Sequence, residues 1–277
     1  MAEKNILVTV DENYVPQMNV MLCSLKNSDK NCFFNVFVMN RNLGDEKLDG
    51  ARKILGKSGK VISVKTEDSS LSGAPISDRY PKEMYYRIFA AKYLPENVDR
   101  ILYLDPDLIV RKNLDELYDI DLDGYYYAAA THIRKFIHKI NEKRLDLAPQ
   151  SPYINSGVMM INLALLRKEQ DFKTVFDYIE GHKKKLLLPD QDVLSAVYGE
   201  KIKPIDSFRF NMTERLYFLY RAGKEKINLD YVEKNSAIIH YCGKNKPWKD
   251  DYRGKLKKYY TAALEQTRAI LSGETEA

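Results

Sequence analysis

The sequence predicts an α/β protein: one mostly parallel, Rossmann-like twisted sheet flanked by helices. Two observations carry this. Apolar strand-like runs alternate with helical periodicities through the first hundred residues, and the apolar run Ile101 to Leu104 ends directly on a pair of carboxylates. Alternating elements join most simply as crossovers between parallel strands, which places helices on both sheet faces. No repeat, low-complexity tract or Pro/Gly/Ser-rich linker divides the 277 residues, a length that buries a sizeable core as one domain.

The elements follow in order. Ile6 to Val10 is a short apolar strand, and Met18, Met21, Leu22 and Leu25 recur at helical spacing between Val15 and Leu25. Phe33 to Met39 reads as a second strand. A helix from about Asp45 carries Leu48, Ala51, Ile54 and Leu55 on one face and stops before Gly59. Val61 to Val64 is a third strand, Thr66 to Ser77 a polar loop, and Pro81 opens a helix bearing Tyr85, Ile88 and Phe89. Further on, Tyr125 to Thr131 is strand-like and Phe136 to Leu147 is a helix or lid. Val158 to Leu163 is an apolar run, Phe172 to Ile179 a helix, Asp190 the start of another, and Ala237 to Tyr241 the final strand.

The first strand-to-helix turn, Val10-Asp11-Glu12-Asn13-Tyr14-Val15-Pro16, has neither G-x-G-x-x-G nor a P-loop. Such motifs use glycine so that backbone N–H groups reach phosphates, and their absence argues against a nicotinamide-dependent dehydrogenase. An acid, an amide and an aromatic ring suit a base and a ribose better. The phosphates of a nucleotide bound here need neutralising elsewhere.

Asp105 and Asp107 supply the means. Residues i and i+2 of an extended chain share a face, so both carboxylates can converge on one divalent cation, and Pro106 fits a strand end. The Asp-x-Asp pattern alone is weak, because Asp119, Asp121 and Asp123 repeat it, as do Asp190 and Asp192. Position separates them. The first set follows a helical turn and precedes Gly124, reading as a solvated loop, and Asp190 and Asp192 sit where carboxylates favour a helix start. Only Asp105 and Asp107 stand at the carboxyl end of a buried strand, where α/β sheets place ligands.

Lysine plus arginine number 44 against 39 acids, a net charge of +5 that does not call for nucleic acid. Cys23, Cys32 and Cys242 are odd in number and lack C-x-x-C spacing, which fits a reducing cytoplasm. No leader pattern or apolar run of membrane-spanning length is visible. Lys244 to Lys258 mixes seven basic residues with Trp248 and Tyr252, and Tyr259 and Tyr260 follow. This predicts a C-terminal tail, 251–277, that rests reversibly on an anionic membrane outside a catalytic domain of residues 1–250. A terminal helix packed on the domain is the alternative reading.

Taken in order, five segments resemble the family-eight glycosyltransferases, the group of bacterial lipopolysaccharide galactosyl- and glucosyltransferases and the glycogenins. They are Val10 to Tyr14; Tyr86-Arg87; Leu102 to Asp107; Tyr153-Ile154-Asn155-Ser156-Gly157 with Asp190-Gln191-Asp192; and His240 to Trp248. The resemblance implies a GT-A type fold and a retaining, metal-dependent hexosyltransferase using UDP-glucose or UDP-galactose. Asp105, Asp107 and His240 would bind manganese, with magnesium as the alternative. An imidazole beside two carboxylates favours the softer ion.

The resemblance further implies donor contacts at Thr9, Asp11, Asn13 and Tyr14, with Tyr14 stacked on uracil. Arg87 would orient the donor. Asn155, Asp190 and Gln191 would face its sugar, Gln191 as a positioning group at the reacting carbon. Gly243 would let the loop approach the phosphates, and Lys246 would stabilise the leaving diphosphate. His132 and the 66–80 loop depart from the family pattern, and with them the acceptor, a saccharide of surface-polysaccharide or lipopolysaccharide type. A glycogenin-like self-glucosylating protein and a non-catalytic UDP-sugar-binding protein are the competing readings.

Overall fold

Nine strands build two sheets in the computed structural model, which describes residues 2–66, 83–131, 135–149, 151–221 and 227–274. The strands are β1 (Ala2–Thr9), β2 (Cys32–Asn40), β3 (Gly59–Lys65), β4 (Arg100–Leu104), β5 (Leu108–Val110), β6 (Tyr127–Ala130), β7 (Asn155–Asn162), β8 (Ile202–Ile205) and β9 (Ile238–His240). The large sheet runs β3-β2-β1-β4-β7-β6-β8, and β5 pairs with β9 in a small ribbon. The first four strands in sequence within the large sheet are parallel, as the alternation predicted. β7 departs from this, running antiparallel to both β4 and β6, while β8 returns parallel to β6.

Helix α1 (Val15–Ser28) begins with Pro16 in its first turn and buries Met18, Met21, Leu22 and Leu25 beneath one sheet face. The helix expected from Asp45 divides into a 3-10 turn, Asp45–Leu48, and α2 (Asp49–Leu55), which ends at Gly56 with φ at 52°. The strands alternate strictly. Ile6, Val8, Leu102, Leu104, Val158 and Met160 face the α1 and α2 side, whereas Leu7, Ile101, Tyr103, Met159 and Ile161 face the helices of residues 83–94 and 163–198. Pro81, His132 and residues 67–80 lie outside the described residues.

The C-terminal helix Lys257–Ser272 is packed on the domain, the alternative of the two readings of this segment. It lies against α1 and α2, with Tyr260, Ala263, Thr267 and Ile270 buried. Tyr252 and Leu256 are buried as well, and Trp248 and Tyr259 are half-buried against the same cluster. Its apolar face found a complementary protein surface, which satisfies it as fully as lipid would. Among the described residues, no helix is long and apolar enough to cross a membrane.

Candidate active site

The strand register assembles the site. The β4–β7 ladder continues one step past β4, with the Asp105 amide donating to the Gly157 carbonyl at 2.8 Å, so Asn155, Ser156 and Gly157 run alongside Asp105. The β5–β9 ribbon sets His240 opposite Leu108, and the Tyr241 amide donates to the Asp107 carbonyl at 3.0 Å. Two distant segments thus meet at the carboxyl end of β4. One ligand atom from each of Asp105, Asp107 and His240 lies within 4.8 Å of the others.

The charges around this cluster are specific. His240 Nε2 stands 3.2 Å from Asp107 Oδ1 and 3.6 Å from Asp105 Oδ2. Lys246 donates its ammonium to the other Asp107 oxygen and, at 3.0 Å, to the Tyr241 carbonyl. Burial alone would raise the Asp107 pKa, but the Lys246 ammonium beside it outweighs burial and holds the carboxyl well below its ordinary range. Asp105 accepts from the Tyr103 hydroxyl at 2.6 Å and from Arg87 at 3.0 Å. Tyr103 is itself buried, which keeps the phenol protonated as a donor.

Arg87 is 7% exposed and lies over the Tyr103 ring at 4.3 Å. One of its terminal nitrogens reaches Asp105, Asp190 at 3.3 Å and the Ser156 carbonyl at 3.2 Å. Burial works against its charge, but Asp105 and Asp190 sustain it. Asp190 has a pKa raised by burial and accepts from the Ser156 hydroxyl at 2.7 Å. Gln191 Oε1 accepts from the Asn155 amide at 3.3 Å.

At the end of β1, Asp11 caps a short 3-10 turn by accepting from the Tyr14 amide at 3.1 Å, and Asn13 reaches back to the same carboxylate at 3.4 Å. Tyr14 packs edge-on against Trp248, with ring centroids 6.1 Å apart, and Lys246 lies over that tryptophan at 5.5 Å. The β1 loop and the loop after β9 therefore form one wall. Thr9 is buried behind it, its hydroxyl 3.0 Å from that of Tyr103. Gly243 is exposed, with φ at 92°, the left-handed conformation of a turn glycine.

The donor set fits a divalent cation. A Cβ built on Gly157 would lie 2.2 Å from His240 Cε1 and 2.6 Å from Asp105 Oδ2, so only glycine lets those ligands approach the β7 backbone. Arg87 Nε is buried without a hydrogen-bond partner among the described residues. Sequence reasoning missed Tyr103, Ser156 and Asn211. The first two lay inside quoted motifs; Asn211, whose Oδ1 stands 2.9 Å from His240 Nδ1, had no local signal.

Comparison with known proteins places the chain in a family. The model of the family described as "Glycosyl transferase family 8" matches residues 5–252. A putative glycosyltransferase of Haemophilus influenzae is 30% identical over 250 residues, covering 88% of this chain and 72% of its own. A lipopolysaccharide 1,2-glucosyltransferase of Escherichia coli is 26% identical over 249 residues, covering 89% and 73%. Among solved structures, the galactosyltransferase LgtC in complex with donor and acceptor sugar analogues superposes with a TM-score of 0.81 at 23% identity, covering 95% of each chain, a likeness of fold.

Proposed function

The chain belongs to glycosyl transferase family 8, and from that premise we propose that it transfers a hexose, glucose or galactose, from a UDP-sugar to a saccharide acceptor with retention of anomeric configuration. The acceptor would be a surface polysaccharide or lipopolysaccharide glycan. One observation carries the reading: Asp105, Asp107 and His240 converge from β4 and β9, with Lys246 beside them.

Those three residues would hold manganese, or magnesium in its place; when bound, such an ion supplies positive charge to the diphosphate. Tyr14 and the Asp11 turn would receive the uridine. Arg87, already charged and turned toward the cluster, would orient the donor. Lys246 would bring its ammonium to the leaving phosphate, where charge develops as the glycosidic bond breaks. Asp190, fixed by Ser156 and Arg87, would accept from sugar hydroxyls, and Gln191, held by Asn155, would position the reacting carbon.

The catalytic unit is proposed to include the C-terminal helix and to work in the cytoplasm. The test is a panel of UDP-sugars with manganese, followed by UDP release with and without acceptors. Release from one UDP-hexose, abolished by chelator, is expected. Turnover undiminished in chelator would remove the metal, and release from no UDP-sugar would remove the donor.

A further inference from the structure

We propose that Asn211 is a positioning residue that sets the His240 tautomer, turning the Nε2 lone pair toward Asp105 and Asp107. The inference rests on the metal reading above and concerns what makes that site competent. It follows from a chain of hydrogen bonds whose direction is anchored by the backbone.

The anchor is the Gly157 N–H, which can only donate, and Asn155 Oδ1 accepts from it at 3.2 Å. Asn155 therefore cannot turn its amide over without losing that bond, and its Nδ2 faces Gln191 Oε1. The same Asn155 oxygen lies 2.9 Å from an Asn211 side-chain atom, which must be a donor, hence Nδ2. Asn211 Oδ1 is thereby directed at His240 Nδ1, 2.9 Å away, and an amide oxygen only accepts. Nδ1 must carry the hydrogen. A neutral imidazole has one N–H, so the lone pair is left on Nε2, the nitrogen beside both carboxylates.

Without Asn211 the opposite tautomer gains. Its N–H would sit on Nε2 and donate to Asp107, and a nitrogen holding a proton cannot ligate a metal. Asn211 is well placed to prevent this: it is fully buried, its amide closes the turn Ser207–Phe210, and its neighbour Met212 is bonded to β9 on both sides of Ile239. Partners that orient a ligating histidine in this way typically change metal affinity 10–100-fold when removed.

The experiment titrates manganese into the full chain with UDP present, counting free ion by electron paramagnetic resonance, for wild type, Asn211→Ala and Asn211→Asp. Asn211→Ala is expected to lose about 10–100-fold in affinity. Asn211→Asp, which keeps an acceptor for Nδ1–H, is expected to stay within about threefold, its lost bond to Asn155 being remote from the metal. A merely structural Asn211 gives the reverse order, because aspartate sets a carboxylate against the Asn155 oxygen.

Ring-nitrogen NMR of the metal-free protein at alkaline pH supplies the second readout, with His240 expected as Nδ1–H in wild type and as Nε2–H in Asn211→Ala. If Asn211→Ala does not fold, Asn155→Ala against Asn155→Asp tests the same chain, the aspartate keeping the acceptor for Gly157 and Asn211. Unchanged affinity or tautomer in the alanine variants, or aspartate variants as weak as alanine, overturns the proposal. Wild-type protein that binds no manganese overturns the metal reading, and this proposal with it, before any substitution is made.

Discussion

Lys246 and Asp107 form an ion pair at the mouth of the cluster, their side chains 12% and 9% exposed. In this arrangement the lysine supplies the charge that a divalent cation would bring, so the two should substitute for each other. Removing the ammonium leaves Asp107 buried beside Asp105 with less compensation, which for a buried pair costs on the order of 3 kcal/mol. Lys246→Ala should therefore melt well below wild type in chelator and recover most of the loss in excess manganese. Turnover should remain depressed about a hundredfold or more, because leaving-group stabilisation is not restored. Thermal scans with and without manganese, beside UDP-release assays, check both halves.

Gly157 predicts a second, steric outcome. An alanine Cβ there must displace the His240 ring and the Asp105 carboxylate together. Gly157→Ala should cost about 1–3 kcal/mol by overpacking and weaken manganese at least about tenfold. Calorimetric metal titration of the folded variant measures it, and wild-type affinity would show that the ligands can yield without loss.

Tyr14 is expected to face the base from the wall it shares with Trp248. Tyr14→Ala should weaken UDP by about 1–3 kcal/mol, and ADP or GDP should bind wild type less well than UDP. Competition calorimetry with the three nucleotides decides it. Equal affinities would move the base site elsewhere.

Asp192 predicts a stability effect next to the site. It is fully buried and accepts from the Tyr153 hydroxyl at 2.6 Å, both terminal nitrogens of Arg144 at 2.7 and 2.9 Å, and the amides of Leu187 and Leu188. Asp192→Ala strands those donors and should cost roughly 3–5 kcal/mol. In urea the midpoint should fall with little change in slope. A shift under about 1 kcal/mol would mean that the network relaxes onto water.

Truncation after Asp251 removes Tyr260, Ala263, Thr267 and Ile270 from the face of α1. The shortened chain should be insoluble or grossly destabilised. A soluble, active truncation that loses salt-sensitive vesicle binding would restore the membrane reading.

What the sequence disclosed was governed by how local each signal is. Met18, Met21, Leu22 and Leu25 report their helix because a turn of helix spans four residues. Val158 to Ile161 is apolar on both faces, which betrays a buried strand but not its direction, so antiparallel β7 was invisible. Asp105 and Asp107 were legible from strand-end spacing, and His240 only through its place in an ordered family pattern. Asn211 could not be read at all: its role depends on β9 lying beside it and on a backbone amide two residues past Asn155. The aromatic, basic segment from Trp248 to Tyr260 has one composition for two fates. What decides between them is the uncovered face of α1, more than two hundred residues away in the chain.

That packing has a consequence for how the protein is made. Helix α1 forms early in synthesis, but part of its apolar surface, Val20 among it, is closed by Tyr260 and Ala263, and Ile270 completes the cluster beneath Met21 and Leu25. Until residues 257–272 emerge from the ribosome, the nascent chain carries an open hydrophobic seam along its first helix. Such a seam invites wrong partners and chaperones alike. Lys53 donating to the Leu271 carbonyl at 2.8 Å and Asn27 to Gln266 at 3.0 Å then fasten the late helix over it. Stalled or prematurely terminated chains should therefore be cleared as misfolded, so that assembly of the candidate site is coupled to nearly complete synthesis of the domain.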